Sequence, residues 1–472
     1  MSKQFRNCDL NQAYLLPPSL QDWLPEGHLA RFVADLVETL DLSALYAQYE
    51  QGDGRGQAAY DPRMMVRLLI YAYCRGVASS RRIERATHED VAFRYLAADQ
   101  HPDHDTIADF RKQHLANLAQ LFVQVLKLCQ QAGLVKLGHV ALDGTKVKAN
   151  ASKHKAMSYE RMGETEKKLQ AEVEARLQEA ARVDAEEDAK YGKGKRGDEL
   201  PAELARRESR LRKIQEAKAA LEAEAKEAAR QKQAEVEARL KEREKQEEER
   251  GRKFGGRPPQ APDPEQAQPE PKAQRNFTDP DSRIMKDGAT KEFVQAYNAQ
   301  AAVDSHAQVI VAAVVTQQEN DKQQLVPMLG QVQSLTGSAP EQATADSGYF
   351  SEANVTDPKL AGIDLLVAPD RQKHGEEMPV ATRSSAGGPV GLSPTLSPAQ
   401  AMRLKLRTVE GRAVYKMRKA VVEAVFGQIK EERGFRRFLL RGLAPAQAEW
   451  KIICATHNLL KLFRSGWMPQ TA

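Results

Sequence analysis

The sequence is poor in cysteine and has no long apolar run. Its 472 residues include four cysteines, which lie at positions 8, 74, 129 and 454 and form no Cys-x-x-Cys pair. This spacing disfavours a zinc ribbon or a disulfide scaffold and is typical of a protein from a reducing compartment. No run reaches the ~18 apolar residues of a membrane helix, and residues 1–9 lack the apolar core of a signal peptide. We therefore expect a soluble, cytoplasmic protein without a membrane partner.

The composition is that of a globular protein with an uneven distribution of charge. Hydrophobic residues make up 41% and charged residues 29%, which excludes collagen-like and fully disordered chains. The net charge of +5 is small, but residues 402–464 hold 15 basic and 5 acidic residues. Residues 1–140, in contrast, hold 15 basic and 16 acidic residues. An anionic partner is therefore expected to bind the C-terminal part.

Residues 1–137 are predicted to be helical. Apolar residues recur at helical spacing in Leu29–Leu45, Met64–Tyr73 and Leu115–Leu128. The segment Ser79–Arg85 concentrates three arginines, Arg81, Arg82 and Arg85. It is either a DNA-contacting helix of a helix-turn-helix unit or an ordinary solvated helix face, and the segment alone does not decide.

The histidines of His101–Asp105 could be taken for metal ligands. We favour a helix beginning at Asp105 and Thr106, because both residues suit a helix N-terminus.

Residues 158–252 have a distinct composition. They contain 24 basic and 25 acidic residues among many alanines, which predicts two long helices in a hairpin or coiled coil. Tyr191–Gly197 breaks the pattern. The apolar spacing is not a strict heptad, so a dimerising coiled coil is not specifically indicated. Residues 253–285 and 371–400 are predicted linkers, rich in Pro and in Gly, Ser and Pro respectively.

The remaining segments alternate between strand and helix patterns. A helix is predicted over Lys322–Leu335, capped by Asn320 or Asp321. Strands are predicted at His139–Leu142, Phe293–Val303, Val309–Val315, Gln342–Asp346 and Leu365–Ala368. The fold class is therefore mixed α/β, interrupted by the helical segment 158–252.

Three carboxylates stand out by position. Asp143 and Asp346 each follow a predicted strand and precede Gly-containing turns, whereas Glu423 lies in a predicted amphipathic helix. Acids at the C-terminal ends of strands meet at one edge of a sheet. Carboxylates hold Mg²⁺, and two such ions can assist an in-line phosphoryl transfer. Taken singly, each aspartate is more often an ordinary turn residue.

Basic residues surround these acids. Lys146 and Lys148 follow Asp143, and Lys430, Arg436 and Arg437 follow Glu423. Such an arrangement fits a metal site that draws in a phosphate backbone. Phe435 and Phe438 lie among the arginines, where they either stack on an unpaired base or, as we favour, pack in the core.

Several motifs resemble those of the DDE transposases of bacterial insertion sequences. The N-terminal motifs are Asp61–Met65, Ser79–Glu84 and His101–Arg111, and the later ones are Ala141–Lys146, Ala345–Tyr349, Val422–Lys430 and Arg441-Gly442. The resemblance implies a ribonuclease H-like catalytic domain with Asp143, Asp346 and Glu423 as metal-binding triad. It also implies that Arg418 and Lys430 are basic partners of Glu423, preceded by Tyr415. Four residues separate Arg418 from Glu423, where the family usually has three.

The resemblance further implies an activity and its partners. Two Mg²⁺ ions, replaceable by Mn²⁺, would assist cleavage at the element's ends and strand transfer into target DNA. The partner is double-stranded DNA, both terminal inverted repeats and target, and a homodimer is expected because two ends are cut together. When bound to DNA, the cytoplasmic protein would associate with the nucleoid. The expected DNA-contacting residues are Lys146, Lys148, Arg81, Arg82, Arg85, Arg418, Lys430, Arg436 and Arg437.

The expected domain organisation follows from these motifs. A helical DNA-binding domain covers 1–137, and the ribonuclease H-like core combines 138–157 with 286–370. The helical insertion is 158–252, and 401–472 forms basic helices carrying the catalytic Glu.

Two other functions stay open. A ribonuclease H-like nuclease would cut DNA without joining strands. A coiled-coil assembly or DNA-packaging protein would use residues 158–252, and its acids would be incidental.

Overall fold

The computed structural model of the chain describes residues 19–50, 58–191, 202–252, 255, 259–288, 290–370 and 396–469. The chain divides into two compact units, Met1–Lys148 with Tyr297–Ala472 and Ala149–Ala296. Both helices and a mixed sheet are present, so the α/β class is confirmed. The predicted break Tyr191–Gly197 and linker 371–400 lie largely outside the described residues. Within those residues, no helix combines the length and apolar character needed to cross a membrane.

The helices are numbered in chain order. They are α1 (Leu29–Thr39), α2 (Ser43–Glu50), α3 (Pro62–Cys74), α4 (Ser80–Glu89), α5 (Val91–Leu96), α6 (His104–Gln113), α7 (Leu115–Gln131), α8 (Tyr159–Tyr191), α9 (Ala202–Arg250), α10 (Leu325–Thr336), α11 (Glu352–Val355), α12 (Pro398–Arg407), α13 (Val409–Arg418), α14 (Ala424–Gly427) and α15 (Leu443–Arg464).

The strands are numbered in the same way. They are β1 (His139–Lys148), β2 (Ala156–Ser158), β3 (Gln274–Asn276), β4 (Arg283–Lys286), β5 (Phe293–Asp304), β6 (Ile310–Thr316), β7 (Gln342–Ala345) and β8 (Asp364–Val367). The five strands predicted from the sequence are confirmed as β1, β5, β6, β7 and β8.

The N-terminal helices begin where the sequence supplies a cap. The Asp61 carboxylate accepts the Arg63 N–H at 2.7 Å, and Pro62 occupies the first turn of α3. At α6 the cap is Asp103, whose carboxylate accepts the Thr106 N–H at 2.6 Å. The predicted start at Asp105 was therefore slightly late. His104 Nδ1 lies 2.8 Å from Glu84 Oε2. Among the described residues, no three His, Cys, Asp or Glu side chains form a cluster that could hold a metal ion.

The sheet of the first unit has the order β6, β5, β1, β7, β8. β1, β7 and β8 are parallel, with Ala141 paired to Thr344 and Thr344 to Leu366. β5 and β6 are antiparallel. Because β1 and β7 are parallel neighbours, their C-terminal ends lie at one edge of the sheet.

Helix α15 packs against β6 and also against α3 and α7. Asn458 fastens it to β6, since its side chain accepts the Ile310 N–H and donates to the Ile310 carbonyl, both at 2.8 Å. His457 Nε2 donates to the Gln308 carbonyl at 3.0 Å, and burial lowers the pKa of His457 to about 3. These side chains are buried packing groups.

The second unit contains α8 and α9, which pack through an apolar cluster. Its buried members are Met162, Leu169, Ile214, Ala217 and Leu221. Strand β2 pairs antiparallel with β3, and β4 pairs with the first residues of β5. Two short strands therefore lie at or within the boundaries of the predicted linker 253–285.

Candidate active site

Asp143 and Asp346 lie on neighbouring parallel strands. The register Ala141 to Thr344, continued by two residues, brings Asp143 beside Asp346. The Asp346 carboxylate accepts the Gly348 N–H at 2.9 Å and so caps the turn that follows β7. Asp143 does not end its strand as predicted: β1 continues to Lys148, whose N–H donates to the Arg436 carbonyl at 3.0 Å. The sheet therefore brings the two predicted acids together.

Burial makes both carboxyls weaker acids. Burial raises the pKa of Asp143 to about 7, the Arg418 guanidinium lowers it, and Asp346 and Asp321 raise it further. Burial also raises the pKa of Asp346, against the Gly348 N–H and Arg418. Burial is therefore the main cause of both pKa shifts, and the nearby Asp321 adds to each of them.

Arg418 joins Asp143 to Glu423. Its Nη1 lies 3.2 Å from Asp143 Oδ2 and its Nη2 lies 3.8 Å from Glu423 Oε1. The guanidinium is also 5.8 Å from the centre of the Tyr415 ring. The Arg418 side chain is only 9% exposed, whereas that of Glu423 is 52% exposed. The arginine therefore lies between the first and third predicted acids.

A π-helical turn makes this contact geometrically possible. Helix α13 continues into π-helical residues Lys419–Glu423, then α14, and then a second π-helical stretch Gln428–Glu432. In an α-helix, residues three or four apart share a face. The wider π turn brings residues five apart onto one face. Tyr415, Arg418 and Glu423 thus stay on one side despite the extra residue.

The three acids do not form one cation cage in this arrangement. Among the residues that the structure describes, no three His, Cys, Asp or Glu side chains come together as a metal site would require. Asp143 and Asp346 are brought together directly, and Glu423 is connected to Asp143 through Arg418.

Lys146 and Lys430 hold backbone carbonyls. Lys430 Nζ donates to the Lys146 carbonyl at 2.8 Å, and Lys146 Nζ donates to the Glu319 carbonyl at 2.6 Å. Burial lowers the pKa of Lys146, while Asp321 is first among the nearby acids that raise it. Both lysines therefore line the acidic edge and are partly buried.

The other predicted basic residues lie on the surface or near it. Lys148 is half-buried, and Arg436 is exposed and paired with Glu431. Exposed side chains on α4 are Arg81, Arg82 and Arg85, and Arg437 is exposed as well. Helix α4 buries Ile83 and Thr87, so its arginines lie on the solvated face. Both interpretations of this helix remain compatible with that position.

Phe435 and Phe438 are core residues. They are 4% and 0% exposed, and the Phe435 ring stacks on Tyr73 with centroids 5.4 Å apart. A role in stacking on an unpaired base is therefore wrong for both side chains, and the favoured packing interpretation is confirmed.

Asp321, Asn298 and Gln300 were missed as members of this site. Asp321 was expected to cap a helix, but α10 begins three residues beyond the predicted start, at Leu325. Its carboxylate instead accepts hydrogen bonds from the two amides on β5. The available signal was the pair of amides two residues apart in a largely apolar strand, a spacing that places both on one face.

Two parts of the chain match known protein families. Residues 18–113 match the transposase domain described as DUF772, and residues 381–463 match a transposase DDE domain. The second match contains Arg418, Glu423 and Lys430. Neither a curated protein nor a solved structure matches the chain significantly.

Proposed function

We propose that this chain, a DDE-type insertion-sequence transposase by its two matched domains, cuts DNA at its element's ends and joins the freed 3′ ends to target DNA. The matched DDE domain implies a ribonuclease H-like fold. The observation that carries the proposal is that Asp143 lies beside Asp346 on the sheet and is connected to Glu423 through Arg418. Asp143 and Arg418 are 275 residues apart in sequence, yet they share an ion pair.

The donor set suits a hard divalent cation. Asp143, Asp346 and Glu423 offer carboxylate oxygens, the ligands that Mg²⁺ prefers, and they would hold two Mg²⁺ ions, with Mn²⁺ as a substitute. Bound there, the ions would supply an activated water and stabilise charge on the attacking and leaving oxygens. Arg418 pairs with Asp143 and also contacts Glu423, which keeps the third acid near the first.

The basic residues divide by exposure. We propose that Lys146 and Lys430 position β1 and the helix of Glu423, because their ammonium groups donate to backbone carbonyls. They would contact DNA phosphates only beside Asp143 and Asp346. The exposed arginines attract the DNA backbone, and each phosphate that they neutralise releases counterions condensed on the DNA. This group comprises Arg81, Arg82, Arg85, Arg436 and Arg437, with Lys148 at the edge.

We assign a separate function to each part of the chain. Residues 1–137 recognise the terminal inverted repeats, and 138–157, 286–370 and 401–472 form the catalytic domain. Residues 158–252 serve as a helical insertion. Two copies act as a homodimer on the paired ends, in the cytoplasm on nucleoid DNA.

The test is strand cleavage of labelled DNA carrying the element's own ends, with Mg²⁺ or with EDTA. We expect metal-dependent nicking that falls by at least about 1,000-fold in Asp143→Asn, because a metal ligand is lost. Glu352→Gln is the matched control, since it removes an exposed acid from the short helix α11 and should cleave as the wild type does.

Three outcomes separate the candidate functions. Cleavage followed by joined product supports transposition. Cleavage without any joined product, although target DNA has been added, supports a nuclease. Equal activity in Asp143→Asn and wild type, with DNA binding intact, would overturn the proposed triad and favour an assembly protein.

A further inference from the structure

We propose that Asp321 is a fourth carboxylate of this acidic site, held by Asn298 and Gln300 so that it can ligate a divalent cation. The inference rests on the proposed function, since it adds a residue to the same site. Three observations carry it: a fixed carboxylate, two glycines that allow it to approach closely, and a buried amide oxygen without a hydrogen-bond donor.

The Asp321 carboxylate is held from one side only. Its Oδ1 accepts hydrogen bonds from Asn298 Nδ2 and Gln300 Nε2, each at 2.6 Å. Gln300 Oε1 in turn accepts a hydrogen bond from the Tyr349 hydroxyl. Tyr349 belongs to the turn that Asp346 caps. The network thus fixes Asp321 relative to Asp346 and leaves its Oδ2 without a hydrogen-bond donor among the described residues.

Two glycines allow this carboxylate and its amide partners to approach the backbone closely. A Cβ on Gly144 would lie 2.3 Å from Gln300 Nε2, 2.7 Å from Asp321 Oδ1 and 2.8 Å from Asn298 Oδ1. A Cβ on Gly348 would lie 3.0 Å from Asp346 Oδ1 and 3.4 Å from Asp321 Oδ2. Gly144 directly follows Asp143 and Gly348 lies two residues after Asp346, so Asp321 approaches residues beside both acids.

Asn298 has an unsatisfied side-chain oxygen beside Gly144. Its side chain is fully buried, and its Nδ2 donates to the Gln318 carbonyl at 3.1 Å as well as to Asp321. These two donations fix the orientation of the amide. Its Oδ1 has no hydrogen-bond partner among the described residues. A buried amide oxygen normally has a partner, and a hard cation or a water on that cation would provide one.

A purely structural role is the competing explanation. Asp321 could serve only to fasten the loop between β6 and α10 to the amides of β5. That role needs one acceptor oxygen, which an asparagine also provides. It does not need the second, negatively charged oxygen that faces Gly348.

The experiment measures Mn²⁺ binding to the full chain by electron paramagnetic resonance, with Mn²⁺ alone as the probe. We expect Asp321→Asn to weaken one Mn²⁺ site about tenfold or to lose it, because the amide keeps the acceptor but removes the charged ligand. Glu319→Gln is the matched control: it removes a charge from an exposed side chain of the same loop and should bind within about twofold of wild type.

A second variant guards against misfolding. Asp321→Glu keeps the charge but moves the carboxylate by one methylene. A ligand role predicts weaker Mn²⁺ binding in this variant, whereas a charge-only role predicts unchanged Mn²⁺ binding. Thermal unfolding in EDTA checks that each variant folds. Wild-type Mn²⁺ binding in folded Asp321→Asn, or equal losses in Asp321→Asn and Glu319→Gln, would overturn the inference.

Asp143→Asn separates this inference from the proposed function. If it loses Mn²⁺ binding and cleavage while Asp321→Asn keeps both, only the role of Asp321 fails. If Asp143→Asn itself binds Mn²⁺ and cleaves as wild type does, the proposed function fails.

Discussion

The protonation of Asp143 depends strongly on its surroundings. It faces Arg418, Asp346 and Asp321, and burial raises its pKa from 3.8 to about 7. Between these two values the folded protein holds a proton that the unfolded chain has released. More protons bound in the folded state means that stability falls as pH rises through this interval.

This sign gives a prediction for Asp143→Asn in the metal-free protein. The amide resembles the protonated acid, so the variant should match wild type near pH 4 and exceed it by about 2 kcal/mol at pH 8. The gain is smaller than the full pKa shift implies, because the side chain keeps 18% exposure and Arg418 loses a partner. Thermal unfolding in EDTA at both pH values measures it, with Glu352→Gln as the control. A stability difference that does not change with pH would contradict the raised pKa.

At the scale of elements, the helix that carries Glu423 depends on its π turn. Residues Lys419–Glu423 add one residue to the turn that separates Arg418 from Glu423. In a regular α-helix, two residues five positions apart point in directions that differ by about 140° around the helix axis, so Arg418 and Glu423 would not share a face. Their 3.8 Å contact therefore requires the π geometry.

We predict that deleting Lys419 is tolerated. Lys419 is exposed and lies in the π turn, so it is the simplest residue to remove. After its deletion, a regular α-helix places Arg418 four residues from the glutamate. Cleavage should stay within about threefold of wild type. Deleting Lys416 from the regular helix α13 is the control, because it rotates Tyr415 by about 100° relative to Arg418. A loss from the Lys419 deletion as large as that from the Lys416 deletion would refute the prediction.

The strand pattern could be predicted from the sequence because it rests on local signals. β6 and β8 are short, mainly apolar runs, β5 is a longer strand in which apolar residues predominate, and each was placed to within one or two residues. β1 was predicted too short, because its second half is polar and is completed by the contact of Lys148 with Arg436. That contact joins residues distant in sequence, which periodicity cannot detect.

The candidate site was predictable only in part for the same reason. Asp143 and Asp346 follow apolar strands, a local signal. The contact of Arg418 with Asp143 joins residues that are 275 positions apart in the sequence. The hydrogen bond from Gln300 to Asp321 joins residues that are 21 positions apart. A π turn also leaves no periodic mark that a sequence can be searched for.

At the scale of the whole molecule, the N-terminal helices and the C-terminal helix α15 share a core. Within the first unit, Cys74 Sγ lies 3.8 Å from the Thr456 carbonyl, and Cys129 Sγ lies 3.8 Å from the Asn458 carbonyl. Both matched regions contribute to this core, so their folding is expected to be coupled. A chain starting at residue 138 would expose the face of α15 that packs against α3 and α7.

Gly76 offers a direct test of this coupling. It follows α3 with φ +72°, and a Cβ there would lie 2.4 Å from the Arg433 carbonyl oxygen. Gly133 has nearly the same conformation, φ +70°, but nothing lies within 4 Å of its Cβ position. The two glycines thus share the backbone cost of an added side chain and differ only in the contact with the C-terminal region.

We predict that Gly133→Ala lowers the free energy of unfolding by about 1 kcal/mol and Gly76→Ala by about 3 kcal/mol or more. The difference reports the displacement of backbone at Arg433, which cannot move as a flexible side chain would. Urea unfolding followed by fluorescence and by circular dichroism measures both variants. Coupled folding requires that Gly76→Ala destabilise the two matched regions together in one transition. Equal losses in the two variants, or an early separate transition of the N-terminal helices in Gly76→Ala, would mean that the regions fold independently.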